Sequence, residues 1–294
     1  MFAEACAKAT QFTKPMVIST ATVDGKVDSG YATYVIINSE GWAVTAFHCV
    51  QCVLQQHNDE NLKREVDAYN AQNPDEKRTY NPKWLKANSV WWGNDNIRYD
   101  TMHFHPALDL AFVRLTNLPH NFVTDYPVFK EPSAIRPGMS LCRIGYPFTK
   151  AKATYDPEST RFALGLEGGI PQWFPYEGML TRQIVGIPLD ANGKPVKIDP
   201  NEPQPMFVEC STPGLVGQSG GPIIDKNGYI VGIQSKTNSI PLGFGDKQVD
   251  GKYMPEQFIN LGVGVHVSTI IQAMKKHGIK YKSESDDDGY RIVG

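Results

Sequence analysis

Short runs of β-branched and aromatic residues, each closed by a turn signal, constrain the fold of this chain more than any other feature. Tyr31–Ile37 is followed by the turn residues Asn38–Gly41 and then by Trp42–Ala46, the pattern of a hairpin. The same texture returns at Ser89–Trp92, Asn96–Tyr99, Leu110–Leu115, Ser140–Ile144, Gly178–Ile184, Met206–Cys210, Pro222–Asp225 and Tyr229–Gln234. Asn227 and Gly228, between the last two runs, form the strongest short hairpin signal in the sequence. With 26 glycines and 21 prolines in 294 residues, turns are plentiful, and many short strands predict an all-β barrel or sandwich. Two stretches depart from this texture. Residues 51–73 carry Val53, Leu54, Leu62, Val66 and Tyr69 at roughly helical spacing, with Glu60 and Arg64 four apart, which predicts a surface helix broken by Pro74. Thr269 and Gln272 make a capping box around the apolar Ile270, Ile271 and Met274, with Gly278 after the end, predicting a closing helix. Stretches 149–176 and 186–205 read as loops, and the acidic tail from Ser283 as frayed.

Charge excludes some partners. Lys and Arg total 29 against 31 Asp and Glu, a net charge of −2, so neither nucleic acid nor an anionic membrane surface is an expected partner. No run approaches the ~18 apolar residues of a membrane helix. Met1–Ile18 carries Glu4, Lys8 and Lys14 and no continuous apolar core, so it does not read as a secretory signal. The five cysteines are few and odd in number, as in a reducing compartment, and a cytoplasmic location is the expectation. Cys49 and Cys52 form a C-x-x-C pair, but there is no second pair for zinc and no βαβ context for redox chemistry. No metal or other cofactor is therefore expected, and the two cysteines should pack in the core or on the insert.

Three segments carry chemistry together. His48 ends a strand in T-A-x-H-C, Asp109 opens the apolar strand D-L-A-x-x-R-L, and Ser219 lies among glycines in G-x-S-G-G-P. A serine hydroxyl is a poor nucleophile until an imidazole takes its proton, and a carboxylate must orient that imidazole. Glycines around the serine let two backbone N–H groups converge on a developing oxyanion. His57, His103, His105, His120 and His277 have no comparable context and read as surface residues.

The order His48, Asp109, Ser219 and the motifs around them resemble the trypsin-like (chymotrypsin-clan) serine peptidases, in flavour the HtrA-type peptidase domain without a PDZ domain. The resemblance spans about residues 30–277, through Gly262–Val267. It implies two antiparallel six-stranded β-barrels with the triad between them, a helical insert after His48 and a C-terminal helix. The implied layout is an N-terminal segment 1–15, a first barrel 16–130 with insert 51–88, a second barrel with its helix 131–280, and the tail 281–294. It further implies catalytic roles for His48, Asp109 and Ser219, and an oxyanion hole from the N–H groups of Gly217 and Ser219. Pro213, Gly214, Gln234, Ser235, Lys236, Thr237, Gly262 and Gly264 would bind substrate. Pro213 stands where the resemblance puts the floor of the specificity pocket, which favours an uncharged, small or apolar P1 side chain. Gln218 replaces the aspartate that pairs with a freshly cut N-terminus in secreted relatives, so activation by N-terminal insertion is not expected. The expected partners are a protein or peptide substrate and a regulatory protein docking on 51–88 or 149–176.

Two rivals remain open. A latent or pseudo-protease would use the same cleft to bind peptide. Gly217–Gly221 also satisfies G-x-S-x-G, so an α/β-hydrolase esterase could pair Ser219 with His266 and with Asp246 or Asp250. The hairpin pattern after Pro222 speaks against that fold, which needs a helix there.

Overall fold

The computed structural model describes residues 1–167, 171–187, 194, 199–243, 245, 247–249 and 252–285. Asp246 and Asp250 lie outside these. Helix α1 (Ala3–Phe12) leads into a six-stranded antiparallel sheet built from β1 (Thr13–Thr22), β2 (Val27–Ile36), β3 (Trp42–Thr45), β4 (Leu85–Trp91), β5 (Arg98–His105) and β6 (Leu110–Thr116). Their spatial order is β4-β1-β2-β3-β6-β5. Helix α2 (Phe47–Gln72) is inserted between β3 and β4.

The second half holds β7 (Val128–Phe129), β8 (Ser140–Gly145), β9 (Lys150–Asp156), β10 (Arg161–Glu167), β11 (Phe174–Val185) and β12 (Met206–Cys210). It continues with β13 (Pro222–Ile224), β14 (Ile230–Pro241), β15 (Lys247–Val249), β16 (Lys252–Met254), β17 (Phe258–His266), helix α3 (Val267–Lys276) and β18 (Lys282–Ser283). Strands β13-β8-β11-β12-β17-β14 form one sheet, and pairing of β14 with β13, Pro222 opposite Ile233, closes it into a barrel. Strands β7 and β18 extend it by parallel pairing.

The sequence expectation of two closed barrels thus needs correcting. The N-terminal sheet curls but does not close: no ladder joins β4 to β5 among the described residues. The chain leaves β4 at Trp92, whose carbonyl accepts from the Tyr34 hydroxyl at 2.7 Å rather than from a neighbouring strand. The fully buried Trp92 indole meets the Tyr34 ring edge-on. Inside this sheet pack Met16, Ile36, Val113 and Leu115. The barrel core is Leu141, Ile144, Val208, Ile223, Ile233 and Val265.

Several local expectations also change. Helix α1 was not foreseen; it has no side-chain N-cap and is only ten residues long, too short to persist alone. It is held by burying Ala5, Cys6, Ala9 and Phe12. Helix α2 is a surface helix as expected, but it starts before His48 rather than after it. Glu60 accepts from Gln56, and Arg64 reaches Asn61, so the expected Glu60–Arg64 pair does not form. The insert ends by 85, where β4 joins the sheet. Part of the stretch read as a 149–176 loop is the β9–β10 hairpin. Helix α3 begins at Val267, capped by the His266 ring accepting from the Ser268 N–H, not by Thr269. Thr269 and Gln272 instead bind the 204–206 segment. The start of the tail is pinned: β18 pairs with β7, and Glu284 accepts from buried Lys130.

The Asn227-Gly228 hairpin is present. Gly228 has φ +80° and donates to Asp225, while the Asp225 carboxylate accepts from the N–H groups of Asn227 and Tyr229. All five cysteines are buried free thiols, with Cys49 and Cys52 on the inner face of α2.

Candidate active site

Strand β3 ends at Thr45 and α2 begins two residues later, so His48 sits in the first turn of that helix. Asp109 arrives from the neighbouring part of the same sheet. A 3-10 turn over Pro106–Leu108 stops at Asp109, whose φ of 52° is left-handed, and β6 begins at the next residue. Aspartate tolerates that conformation better than most residues. Its Oδ1 accepts from the His48 backbone N–H at 2.9 Å, and Oδ2 lies 2.9 Å from His48 Nδ1. A carboxylate only accepts, so Nδ1 carries the proton and Nε2 is the nitrogen left for chemistry.

The serine loop is shaped by its contacts with the other half of the molecule. Gly217 and Gly220 have φ of +97° and +82°, a region glycine enters freely. A Cβ on Gly220 would strike the Thr33 carbonyl and the Thr45 hydroxyl. Thr33, on β2, donates its N–H to the Ser219 carbonyl at 2.9 Å and its hydroxyl to the Gly217 carbonyl at 2.7 Å. With both carbonyls held inward, the N–H groups of Gly217 and Ser219 have no acceptor among the described residues. Uncommitted backbone donors beside the nucleophile are what an oxyanion requires. Gln218 holds the loop from beneath: fully buried, it accepts from the Leu215 N–H at 3.0 Å and packs on Gly145, where a Cβ would come within 2.6 Å of its Cα.

Ser235 has a different place from the substrate-contact position expected for it. The β14–β17 register shifts between Gln234 and Lys236, a bulge that re-aims a side chain. Ser235 is buried and donates to Asp109 Oδ2 at 2.5 Å, while its carbonyl accepts from Ser219 Oγ at 3.3 Å. Among the described residues, Ser219 Oγ makes no hydrogen bond to His48.

The charges are strongly coupled. The hydrogen bond to Asp109 above all, then contact with Cys49, raises the His48 pKa to about 10 against the effect of burial. Burial pushes Asp109 up, but the hydrogen bonds from His48 and Ser235 outweigh it and hold the carboxyl below its usual value. The ordinary imidazole value of ~6.5 therefore does not describe this site.

The other residues expected to bind substrate gather beside the serine loop. Thr237 Oγ1 accepts from Gly214 N–H at 2.8 Å, and Gly262, opposite Thr237, donates to the Thr212 carbonyl at 2.8 Å. Lys236 and Thr237 are exposed, whereas Gln234 is buried and its Oε1 has no partner among the described residues. Gly264 pairs with Gln234, close against Ile223 and Ile233, and Pro213 is half-buried in the segment between. A cleft of about 910 Å³ opens nearby, lined by Phe104, Leu108, Val185, Ile187, Phe207 and Lys236. Leu108 and Lys236 adjoin Asp109 and Ser235 in sequence, which puts the cleft next to these residues, though none of His48, Asp109, Ser219 and Ser235 lines it.

Sequence reasoning missed two residues here. Thr33 looks like any strand threonine until the serine loop docks on it. Arg143, only 2% exposed, places its guanidinium behind Gly262; the available signal was an arginine inside an otherwise apolar strand. His103, His105 and His277, expected on the surface, instead cluster: His105 and His277 lie 2.8 Å apart between ring nitrogens, and His103 stacks on His277 at 3.9 Å. His266, the base in the esterase alternative, caps α3, and the serine loop runs into β13 rather than a helix. That alternative falls with its fold.

Residues 32–233 match a family model described as the trypsin-like peptidase domain. No curated protein matches the chain. Among solved structures, it is similar to the active form of the Rv3671c protease from M. tuberculosis, with TM-score 0.51, 15% identity, and coverage of 94% of this chain and 85% of that one. It is also similar to the HtrA-type protease AlgW with tripeptide, with TM-score 0.44, 16% identity, and coverage of 95% and 64% respectively. The first likeness is one of fold, the chymotrypsin-like arrangement of an N-terminal sheet and a C-terminal barrel.

Proposed function

Because this chain belongs to the trypsin-like peptidase family, we propose that it is a serine endopeptidase acting through an acyl-enzyme. The observation that carries the reading is the convergence of His48, Asp109 and Ser235 by hydrogen bonds with the two uncommitted N–H groups of the Ser219 loop. Ser219 Oγ attacks the scissile carbonyl as His48 Nε2 takes its proton. The N–H groups of Gly217 and Ser219 hold the resulting oxyanion, each contributing ~3–4 kcal/mol to transition-state stabilisation. His48 returns the proton to the leaving amine, and water repeats the sequence on the acyl-enzyme. Asp109 keeps the imidazole in the working tautomer. The open cleft beside Lys236 fits the substrate chain running on from the scissile bond.

A second reading has its own support. Ser219 Oγ donates to Ser235 rather than to His48, and a protonated His48 cannot accept its proton. A resting, latent enzyme would have both features. Phe148, Trp173 and Phe174 form an exposed aromatic patch beside the β9–β10 hairpin, a surface suited to an activating partner; α2 offers a second docking face.

The test is fluorophosphonate labelling of wild type, His48→Ala and His266→Ala. Labelling of Ser219 that depends on His48 and not on His266 is the expected outcome. Labelling independent of His48 would remove the peptidase reading. No labelling until a partner is supplied would favour latency.

A further inference from the structure

We propose that Arg143, buried behind Gly262 next to the Ser219 loop, is the receptor for an acidic P1 side chain, glutamate or aspartate. This rests on the peptidase reading and departs from the uncharged preference expected from Pro213.

Arg143 lies on β8, opposite Tyr176 of β11 and Ile223 of β13, inside the closed barrel. It is 2% exposed. Nη2 donates to the Thr212 carbonyl at 2.7 Å and to the Thr212 hydroxyl, while Nε and Nη1 have no partner among the described residues. Burial lowers its pKa, yet a guanidinium stays charged at any physiological pH. The groups that interact with it electrostatically are Cys210, Tyr176 and Cys142. Burial raises Cys210, and contact with Cys6 followed by burial raises Cys142, so both thiols are neutral. Tyr176 meets the guanidinium with its ring, 5.6 Å from Cζ to the centroid, and supplies no anion. The acidic side chains of β11 and β12 are turned elsewhere: Glu209 is bound bidentately by Arg182, and Glu177 is exposed. A buried cation without an anion is costly and is rarely kept without a use.

The free end of the guanidinium points to that use. A Cβ on Gly262 would fall on Arg143 Nη1 and come within 2.8 Å of the Thr212 carbonyl. The missing side chain at Gly262 is what lets the charge come up against the segment that leads into the serine loop. Gly262 pairs with Thr237, Thr237 holds Gly214, and the 212–217 segment runs directly into the nucleophile loop. Thr212, Gly214, Thr237 and Gly262 therefore surround the place where Arg143 ends. Nη1, the free nitrogen beside Gly262, leaves a donor for one oxygen of a carboxylate, a charge-assisted hydrogen bond stronger than one to a neutral acceptor. The rival ligand is a neutral amide, because Gln234 Oε1 nearby is also unpartnered and would accept from it. Glutamate against glutamine at P1 separates the two.

The experiment uses the full chain and peptide libraries randomised except at P1, which is fixed as Glu, Asp, Gln, Leu or Lys. The expected result is a kcat/KM after Glu or Asp exceeding that after Gln by on the order of a hundredfold, with Leu and Lys lower still. Equal or better cleavage after Gln or Leu, with His48-dependent labelling of Ser219 intact, overturns the proposal and leaves the peptidase reading standing. If labelling and cleavage both fail, binding decides. Calorimetry on Ser219→Ala should show the Glu library binding about tenfold tighter than the Gln library, and equal affinity overturns the proposal. Arg143→Met should reverse the order, favouring Leu over Glu, with its thermal unfolding recorded alongside. Should that variant not fold, the wild-type series is decisive alone.

Discussion

Asp109 accepts three hydrogen bonds with one carboxylate, from the His48 ring, the His48 backbone and the Ser235 hydroxyl. Its hold on His48 sets the pH behaviour. The histidine pKa is raised to about 10 in the folded chain, and the catalytic base must be neutral, so kcat/KM should still be rising above pH 8. Asp109→Asn should move the inflection down toward ~6.5 and lower kcat/KM by ~10⁴-fold; a pH–rate profile of both proteins checks it. The same shift has a stability side. A raised histidine pKa stabilises the folded state fully below ~6.5, and this contribution is lost as pH climbs toward about 10. Activity and stability should therefore move in opposite directions on the alkaline side. Ser235→Ala removes one hydrogen bond to a charged group, worth ~1.5–3 kcal/mol. Steady-state assays should show a loss of about tenfold to a hundredfold in kcat, with KM little changed.

At the scale of elements, α2 and β4 are joined through polar contacts. Buried Asp59 accepts from the Leu85 N–H at 2.8 Å, and Lys63 donates to the Leu85 carbonyl at 2.6 Å. Asp59→Ala strands a backbone donor and should lower the free energy of unfolding by about 2 kcal/mol in urea, while His48-dependent labelling of Ser219 persists. This scale also shows what could be read ahead of the structure. His48, Asp109 and Ser219 were legible because each lies in a run whose neighbours set its local backbone: a strand end, the turn before an apolar strand, and a glycine loop. Helix α1 was not, since ten residues without a cap are helical only through what they bury. Nor was Ser235's partnership with Asp109, which depends on a bulge and a contact spanning 126 positions. Arg143 was visible as a letter; its meaning came from the empty position at Gly262 on a distant strand.

At the scale of the molecule, the two halves meet through His103 and His105 on β5 and His277 at the end of α3. Burial chiefly, then the neighbouring His103, His105 and Lys276, lowers His277 to about 4, with Glu202 opposing. Burial, with Lys276 next, also lowers His105. A histidine held neutral in the folded state binds its proton more readily when unfolded. Stability is therefore lost as pH falls from ~6.5 toward about 4. His277→Phe keeps a ring in the stack and removes this titration. Allowing for the partial exposure of the site, the difference in unfolding free energy between pH 7 and pH 5 should shrink by about 1 kcal/mol, read from paired urea titrations. Closure of only one of the two β-systems was beyond sequence reading for a similar reason. Strand content was clear, but whether β4 meets β5 depends on where Trp92 turns inward.

Thr33 gives this architecture a consequence of its own. One residue of the N-terminal sheet fixes two carbonyls of the serine loop, which the C-terminal barrel carries. The proposed oxyanion hole is thus a seam-spanning latch, set by the alignment of a sheet and a barrel whose facing side chains share one core. A binder wedged between Thr33 and the serine loop would silence the proposed peptidase while leaving both strand ladders intact. Turnover would vanish before any circular-dichroism signal changed, and would return when the wedge was withdrawn.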